Sequence, residues 1–432
     1  MSASLLLLLL LGGSQASHYY GTVMTFTPKE TRDDGSIRVV FHYKLNFRSC
    51  TDSDSWDCVS GDCGTESVVV NIVDKEDGRW CQLEGLMTRQ VSTDAPFQLR
   101  LDGGDWISVK NGVSNWRAVT KVDLRVRSDT GRPNRSPQTT ILPALQVPSN
   151  CQRDFSLLAF DPDGDEVVCR YGDTAAGECN PCSPPSVLTI SPRCTLSFHP
   201  TSSSNEGSYA VQVEMEDFSN QSVSRVPSDA FSKIPIRFAL MVDPAVPSCT
   251  EGLYLPKFLP PTPVNGAQVF AYINHTLEIT VKAEAANSQV SELLFSGPHN
   301  VVCQTGSEGQ FNLSWTPSED QDGENHPICF AVQAANDPTK YYSELRCVIV
   351  SVSSEPPTTV LPATTPQTTT PVPFIPVNET EVYSNRSEVL EESTGPDEET
   401  SGVGKVVGIV FGVGAVIAIA AVGIWAVRGS LL

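Results

Sequence analysis

Residues 159–172, AFDPDGDEVVCRYG, place Asp161, Asp163 and Asp165 on alternate positions, with Pro162 and Gly164 between them. A hard cation such as calcium takes several oxygen ligands, and clustered carboxylates supply them. Alternate spacing in an extended segment sends the three side chains to one side, and a turn at Gly164 can curl them round one ion. The run also has the composition of a plain surface turn. It is not an EF-hand, because the twelve-residue ligand pattern ending in Glu is absent. A second acidic loop, Asp320, Asp322 and Glu324 around Gly323, carries the same chemistry more weakly.

Other reactive residue types lead less far. Cys179-Asn-Pro-Cys182 has the spacing of redox and zinc sites, but no second C-x-x-C lies at zinc spacing and no thioredoxin-like context surrounds it. Structural disulfides, or a local bridge, are the expectation. The six histidines (His18, His42, His199, His275, His299, His326) are scattered, with no H-E-x-x-H and no G-x-S-x-G. Catalysis is therefore not expected. Arg117, Lys121, Arg125 and Arg127 form the densest basic stretch and could bind a sulfated glycan or acidic partner. They read more simply as the solvent face of a strand whose other face carries Val122, Leu124 and Val126.

The ends of the chain set the compartment. Leu5–Leu11 followed by small residues reads as a signal peptide, residues 1–17. Val406–Val427 runs 22 residues without a charge. At a helical rise that is about 33 Å, enough for a hydrocarbon core of about 30 Å. Lys405 and Arg428 tie on the positive-inside rule, so orientation rests on the signal peptide. A type I single-pass protein in the plasma membrane follows, with a span at 403–427 and a tail at 428–432. Small residues around Ser393-Thr394-Gly395 also permit a GPI anchor. Gly404, Gly408 and Gly412 repeat every four residues, a spacing that lets two spans approach as a lateral homodimer.

Sequons at Asn220, Asn274, Asn312, Asn378 and Asn385 agree with an extracellular route; Asn134-Arg-Ser is a poorer acceptor because Pro137 follows it. A formal charge of −21 argues against nucleic acid or an anionic membrane surface as partner. Thirteen cysteines in an oxidising compartment read as disulfides. Cys50, Cys58, Cys63 and Cys81 fall in a first block and Cys249, Cys303, Cys329 and Cys347 in a third; each set is even and could pair internally. Cys151, Cys169, Cys179, Cys182 and Cys194 in the middle are odd. They leave a free thiol or share a bridge between modules or between chains.

The elements that position these residues are strands. SIRVVFHYKLNF alternates, with Ile37, Val39, Phe41, Tyr43 and Leu45 on one face; ESVVVNIV, DWISVKNGV, YAVQVEMED and HTLEITVKA read likewise. An all-β ectodomain of β-sandwich modules is expected. Its parts are an N-terminal disulfide-containing module (18–148), a second module (149–246) and a third (247–352). A Ser/Thr/Pro-rich and acidic, mucin-like stalk (353–402) follows. The second and third modules read as diverged copies about 117 residues apart: TLSFHPTSSSNEGSYAVQVEMEDFS aligns with NLSWTPSEDQDGENHPICFAVQAAND. Leu196 matches Leu313, Phe198 matches Trp315, Pro200 matches Pro317, and Tyr209 roughly matches Ile328.

FDPDGDEVVCRYG, LTISPRCTLSFHP and EGSYAVQVEMED together resemble the dystroglycan-type cadherin-like, or Ig-like, extracellular module, over residues 155–219 with a weaker echo at 290–337. The chain departs from that pattern by Cys169, Cys194 and the GECNPCSPP insertion. The resemblance implies a sandwich entered at the aspartate loop, with Cys169 stapling the first strand to another. It strengthens the calcium reading and adds Asp217, at the end of the Gly-x-Tyr strand, as a further ligand. The function expected is a non-catalytic adhesive or ligand-binding ectodomain for an extracellular protein or glycan. The alternatives are a recognition receptor or decoy for a soluble or microbial ligand that signals through a co-receptor, and a structural glycocalyx glycoprotein.

Overall fold

A computed structural model describes residues 18–76, 78–220 and 226–354, which belong to one compact unit. The expected signal peptide, span and tail, almost all of the stalk, the glycines at 404, 408 and 412 and the sequons at Asn378 and Asn385 lie outside the described residues. Among the described residues no helix is long and apolar enough to cross a membrane.

The fold is all-β. The first module contributes β1 (Tyr19–Thr31), β2 (Ile37–Phe47), β3 (Asp57–Ser60), β4 (Thr65–Glu76), β5 (Trp80–Val91), β6 (Phe97–Gly104) and β7 (Asn115–Val122). Antiparallel β1-β2-β5-β4 faces β3-β6-β7 across a core that includes Tyr19, Phe26, Phe41, Phe47, Phe97 and Trp116. The alternating residues of β2 are buried as expected, but so are Lys44 and Asn46 on its other face. Alternation gives only one apolar face; the polar face is covered here because the third module packs on it.

DWISVKNGV, expected as a strand, is instead a loop with a single bridge at Trp106. Asp105 adopts φ 72°, Gly112 adopts φ 70°, and the Asn111 side chain is bonded to both the N–H and C=O of Ala210. Those turns break the ladder while Trp106, Ile107 and Val113 still bury their side chains.

The second module consists of β8 (Ala144–Pro148), β9 (Arg153–Ser156), β10 (Glu166–Tyr171), β11 (Leu188–Ile190), β12 (Thr195–Phe198), β13 (Gly207–Phe218) and β14 (Ser232–Asp243). The third holds β15 (Lys257–Leu259), β16 (Ala267–Tyr272), β17 (Leu277–Glu284), β18 (Gln289–Ser296), β19 (Val302–Thr305), β20 (Gln310–Trp315), β21 (Asn325–Asn336), β22 (Thr339–Tyr342) and β23 (Arg346–Ser353). Their connectivity is the same. β11-β12-β9 corresponds to β19-β20-β17, and β8-β14-β13-β10 to β16-β23-β21-β18; β8 and β16 each run parallel to the last strand of their module. A short 3-10 turn follows β12 and β20 alike, at Ser203–Asn205 and Glu319–Gln321. The aligned apolar residues Leu196, Phe198 and Tyr209 and their counterparts Leu313, Trp315 and Ile328 are all buried. The two modules are therefore sandwiches of one strand order and pairing.

Sheets continue across the module boundary. β14 bonds to β1 at Val23 and Ile236 and to β7 at Lys121 and Lys233, which joins the first two modules into one eleven-stranded sheet. β8 lies before residue 149 yet pairs with β14. Cysteine pairing also crosses a boundary. Cys50–Cys81 and Cys58–Cys63 close within the first block and Cys169–Cys194 and Cys179–Cys182 within the second, while Cys151 pairs with Cys249. The third block therefore does not pair internally throughout: Cys329 takes Cys347, and Cys303 is the free thiol. Parity could not see this, because one cross-module bridge turns an odd set even and an even set odd.

Candidate functional site

The aspartate loop joins β9 to β10. Asp161 Oδ1 accepts the N–H groups of Asp163 (2.8 Å) and Asp165 (3.0 Å), and Gly164 takes φ 81°, so the run is a tight turn rather than an extended segment. The turn separates the three carboxylates. Asp163 accepts from the Arg135 N–H (2.8 Å) and Nε (2.9 Å). Asp165 is held by both terminal nitrogens of Arg127, whose Nε also donates to Asp129 (3.0 Å) and whose guanidinium lies 4.2 Å from the centre of the Phe231 ring. Carboxylate oxygens of Asp161, Asp165 and Asp217 do converge, all within 4.8 Å of one another. Asp163 is not in that set.

Asn134 completes the cluster, and sequence reasoning missed it. Its Oδ1 accepts from Arg127 (2.7 Å) and its Nδ2 donates to Asp217 Oδ2 (2.7 Å). The signal was present as a weak sequon, but nothing in N-R-S-P tells a glycan acceptor from an interior amide. Asn134 is 1 % exposed, which removes it as an acceptor in the folded chain. Asp217 Oδ1 accepts from the Ser232 N–H (2.6 Å) and Oγ (2.7 Å). Burial raises Asp217 to about 7, with the Asp161 charge adding to it; burial likewise raises Asp161 to about 6, and its Oδ2 is buried without a partner. For Arg127, burial opposes the charge but the bonds to Asp165 and Asp129 outweigh it and raise its pKa. The arrangement can take a hard cation on three oxygens, and two guanidiniums already offset part of the negative charge that would attract one.

The second acidic loop does not form such a set. Glu324 turns inward to a joint between the first and third modules. Its Oε1 lies 2.5 Å from Lys29 Nζ, and its Oε2 3.1 Å from His326 Nε2 and 3.6 Å from His42 Nε2. Glu84 balances it: Lys44 Nζ donates to Oε1 (2.9 Å), His42 Nδ1 lies 3.6 Å from the same oxygen, and the His299 N–H donates to Oε2 (2.8 Å). Lys44 also donates to Gly297 O (2.6 Å). A cavity of about 20 Å³, room for one water, lies among these groups.

Burial disfavours the His42 charge, yet Glu324 and Glu84 outweigh it and raise His42 to about 9; burial lowers His326, beside His42. A histidine raised in the folded state stabilises it fully below the unfolded pKa near 6.5, and that contribution is lost as pH climbs through about 9. A lowered one does the reverse: the His326 contribution is present above about 6.5 and is lost as pH falls through its folded pKa. We expect His42→Gln to flatten the loss of stability between pH 6.5 and 9 relative to the unaltered chain, read as melting temperature against pH. Parallel curves for the two proteins over that range would rule out this role for His42.

The basic stretch is spent within the fold. Arg117 pairs with Asp102 (2.6 Å), Arg125 with Asp123 (2.5 Å) and Arg127 with the aspartate cluster, while Lys121 donates to Ala230 O (2.8 Å). Val122 and Leu124 are buried, but Val126 is 65 % exposed, because the strand ends at Val122. Cys179–Cys182 is a local bridge. Of the described sequons, Asn220 and Asn274 are exposed and Asn312 is half-buried on β20.

No family model matches the chain. The chain is 25 % identical over 223 residues, 45 % of its own length, to an integrin beta-like protein A of Dictyostelium discoideum, and spans 11 % of that relative. Among solved structures it is similar to human protocadherin-24 EC1-2 (12 % identity, 52 % of this chain and 100 % of that one, TM-score 0.18). It is similar to the sidekick-1 immunoglobulin domains 1–5 (10 % identity, 77 % and 72 %, TM-score 0.17) and to an endo-fucoidan hydrolase of glycoside hydrolase family 107 (14 % identity, 70 % and 42 %, TM-score 0.18). At such TM-scores none of these likenesses bears on the argument.

Proposed function

We propose that the chain is a type I single-pass glycoprotein of the cell surface whose ectodomain binds or adheres without catalysis. The observation that supports this most is the mutual locking of the three sandwiches. β14 is shared between the first two, Cys151–Cys249 staples the second to the third, and the Glu84 and Glu324 joint ties the third to the first. Such a scaffold fixes its loops for recognising an extracellular protein or glycan. His42, His299 and His326 are engaged in that joint. The partial likeness to an integrin beta-like protein is compatible with this reading. Cells displaying the full chain should cluster with one another. Failure to cluster, together with capture of a soluble ligand by the ectodomain, would replace adhesion with a receptor or decoy role.

Calcium enters this reading through Asp161, Asp165 and Asp217. If the three oxygens hold the ion, saturating calcium raises the melting temperature by several degrees, since binding to the folded state alone at a hundredfold excess over Kd stabilises by about 2.7 kcal/mol. Asp161→Asn keeps the oxygen that holds the turn and removes the charge, and should abolish the shift. No shift in the unaltered protein would leave the cluster as an ionic joint between Arg127, Asn134 and the loop.

A further inference from the structure

We infer that β4 is a self-pairing edge: two copies of this chain join by antiparallel pairing of Glu66–Ile72 of one with the same residues of the other. Among the described residues β4 ends its sheet and forms a backbone ladder with β5 alone. Among the described residues, no backbone bond outside that ladder reaches 65–72. This bare edge is apolar. Val68 is 42 %, Val69 55 %, Val70 43 % and Ile72 53 % exposed, on both faces of the strand. Edge strands are ordinarily blunted by lysine, proline or a covering element. Here the one charge from 65 to 72 is Glu66, already engaged by Arg89.

The edge is bounded. A bulge lies between Ile72 and Asp74, Val73 is buried in the core of the third module, and Asp74 Oδ2 accepts the Phe295 N–H at 3.1 Å. The occupant must therefore be a short strand that fits Glu66–Ile72. Ser67-Val-Val-Val-Asn71 is chemically palindromic, polar at both ends and valine throughout its middle. A two-fold axis through Val69 sets Val69 against Val69, Val68 against Val70 and Ser67 against Asn71, and Glu66 meets Ile72 rather than another acid. Parallel pairing would stack Glu66 on Glu66. A self-complementary strand on a two-fold axis closes at two copies, because each copy's β4 edge is taken up by the other's. This goes beyond the adhesive reading, because the pairing requires neither calcium nor a ligand.

The test uses the full-length chain on cells in a Cys303→Ser background, so that the engineered thiol is the free one among the described residues. Val69→Cys should give a covalent dimer on a non-reducing gel. Val68→Cys alone should give far less, and Val68→Cys co-expressed with Val70→Cys should restore it as a heterodimer. Val69→Lys should weaken dimerisation of the detergent-extracted chain at least about tenfold, with its melting temperature unchanged. A Val69→Cys chain that reaches the surface, labels with a thiol reagent and stays monomeric overturns the proposal. So does a Val68→Cys dimer as abundant as that of Val69→Cys. Clustering that survives Val69→Lys leaves adhesion standing without this contact, and a dimer in cells that do not cluster separates the two the other way.

Discussion

Gly21→Ala should cost about 3 kcal/mol or more of folding stability. Gly21 takes φ 147°, and a Cβ there would lie 1.9 Å from the Arg237 carbonyl oxygen and 2.8 Å from the Phe238 Cα. Both obstacles are backbone of β14, the strand shared by the first two modules, so neither can swing aside. The register shift between Tyr19 and Gly21 lies at the same place. Arg237 itself is fully buried, held by the carbonyls of Val213 and Glu178 and by the Glu214 carboxylate, so displacing β14 also disturbs an interior ion pair. Gly131→Ala is the control: φ is 67° but nothing lies within 4 Å of the added carbon, and only the backbone strain, about 1 kcal/mol, should appear. Equal losses for the two variants in denaturant unfolding would show that the approach of β14 is not what Gly21 serves.

Cys249→Ser is the second large effect. Its bridge to Cys151 closes a separation of 98 residues, and constraint of an unfolded loop of that length is worth about 4–5 kcal/mol. The loss should fall on the attachment of the third module. Arg153–Glu251 (3.5 Å) and the Asn150–Val246 bonds remain beside the bridge, but they are short polar contacts that water can replace. Limited proteolysis should then cut near residues 243–250 in the variant and not in the unaltered chain. Cys303→Ser should change neither stability nor cleavage. If it proves as damaging as Cys249→Ser, the assignment of Cys303 as the free thiol is wrong.

Much of the fold was legible because it is local. Alternating patterns gave β2, β4, β13 and β17, and the repeated Leu-Ser-aromatic-x-Pro run gave two modules whose strands match in order and pairing. DWISVKNGV failed because its apolar residues fill the core from a loop. Apolar patterning marks candidate strands but settles neither burial nor pairing: Val68, Val69, Val70 and Ile72 of β4 are exposed, while Trp106, Ile107 and Val113 are buried from a loop. The candidate site was half legible. Asp161, Asp165 and Asp217 carry their own chemistry in their residue type, whereas Asn134 and Arg127 become partners only through packing of the linker against the loop.

Residue type and spacing determined the strand content, the repeat, the sequons and the candidate carboxylates, since each depends on neighbours within a few tens of residues. Tertiary structure decided which carboxylates meet, which thiol stays free, that β14 serves two modules and that the polar face of β2 is interior. Each of these turns on surfaces brought together from residues far apart in the chain. The aspartate loop shows the division: its three carboxylates are written on alternate positions, and a turn of backbone hydrogen bonds sends Asp163 to Arg135 while Asp161 and Asp165 go to Asp217.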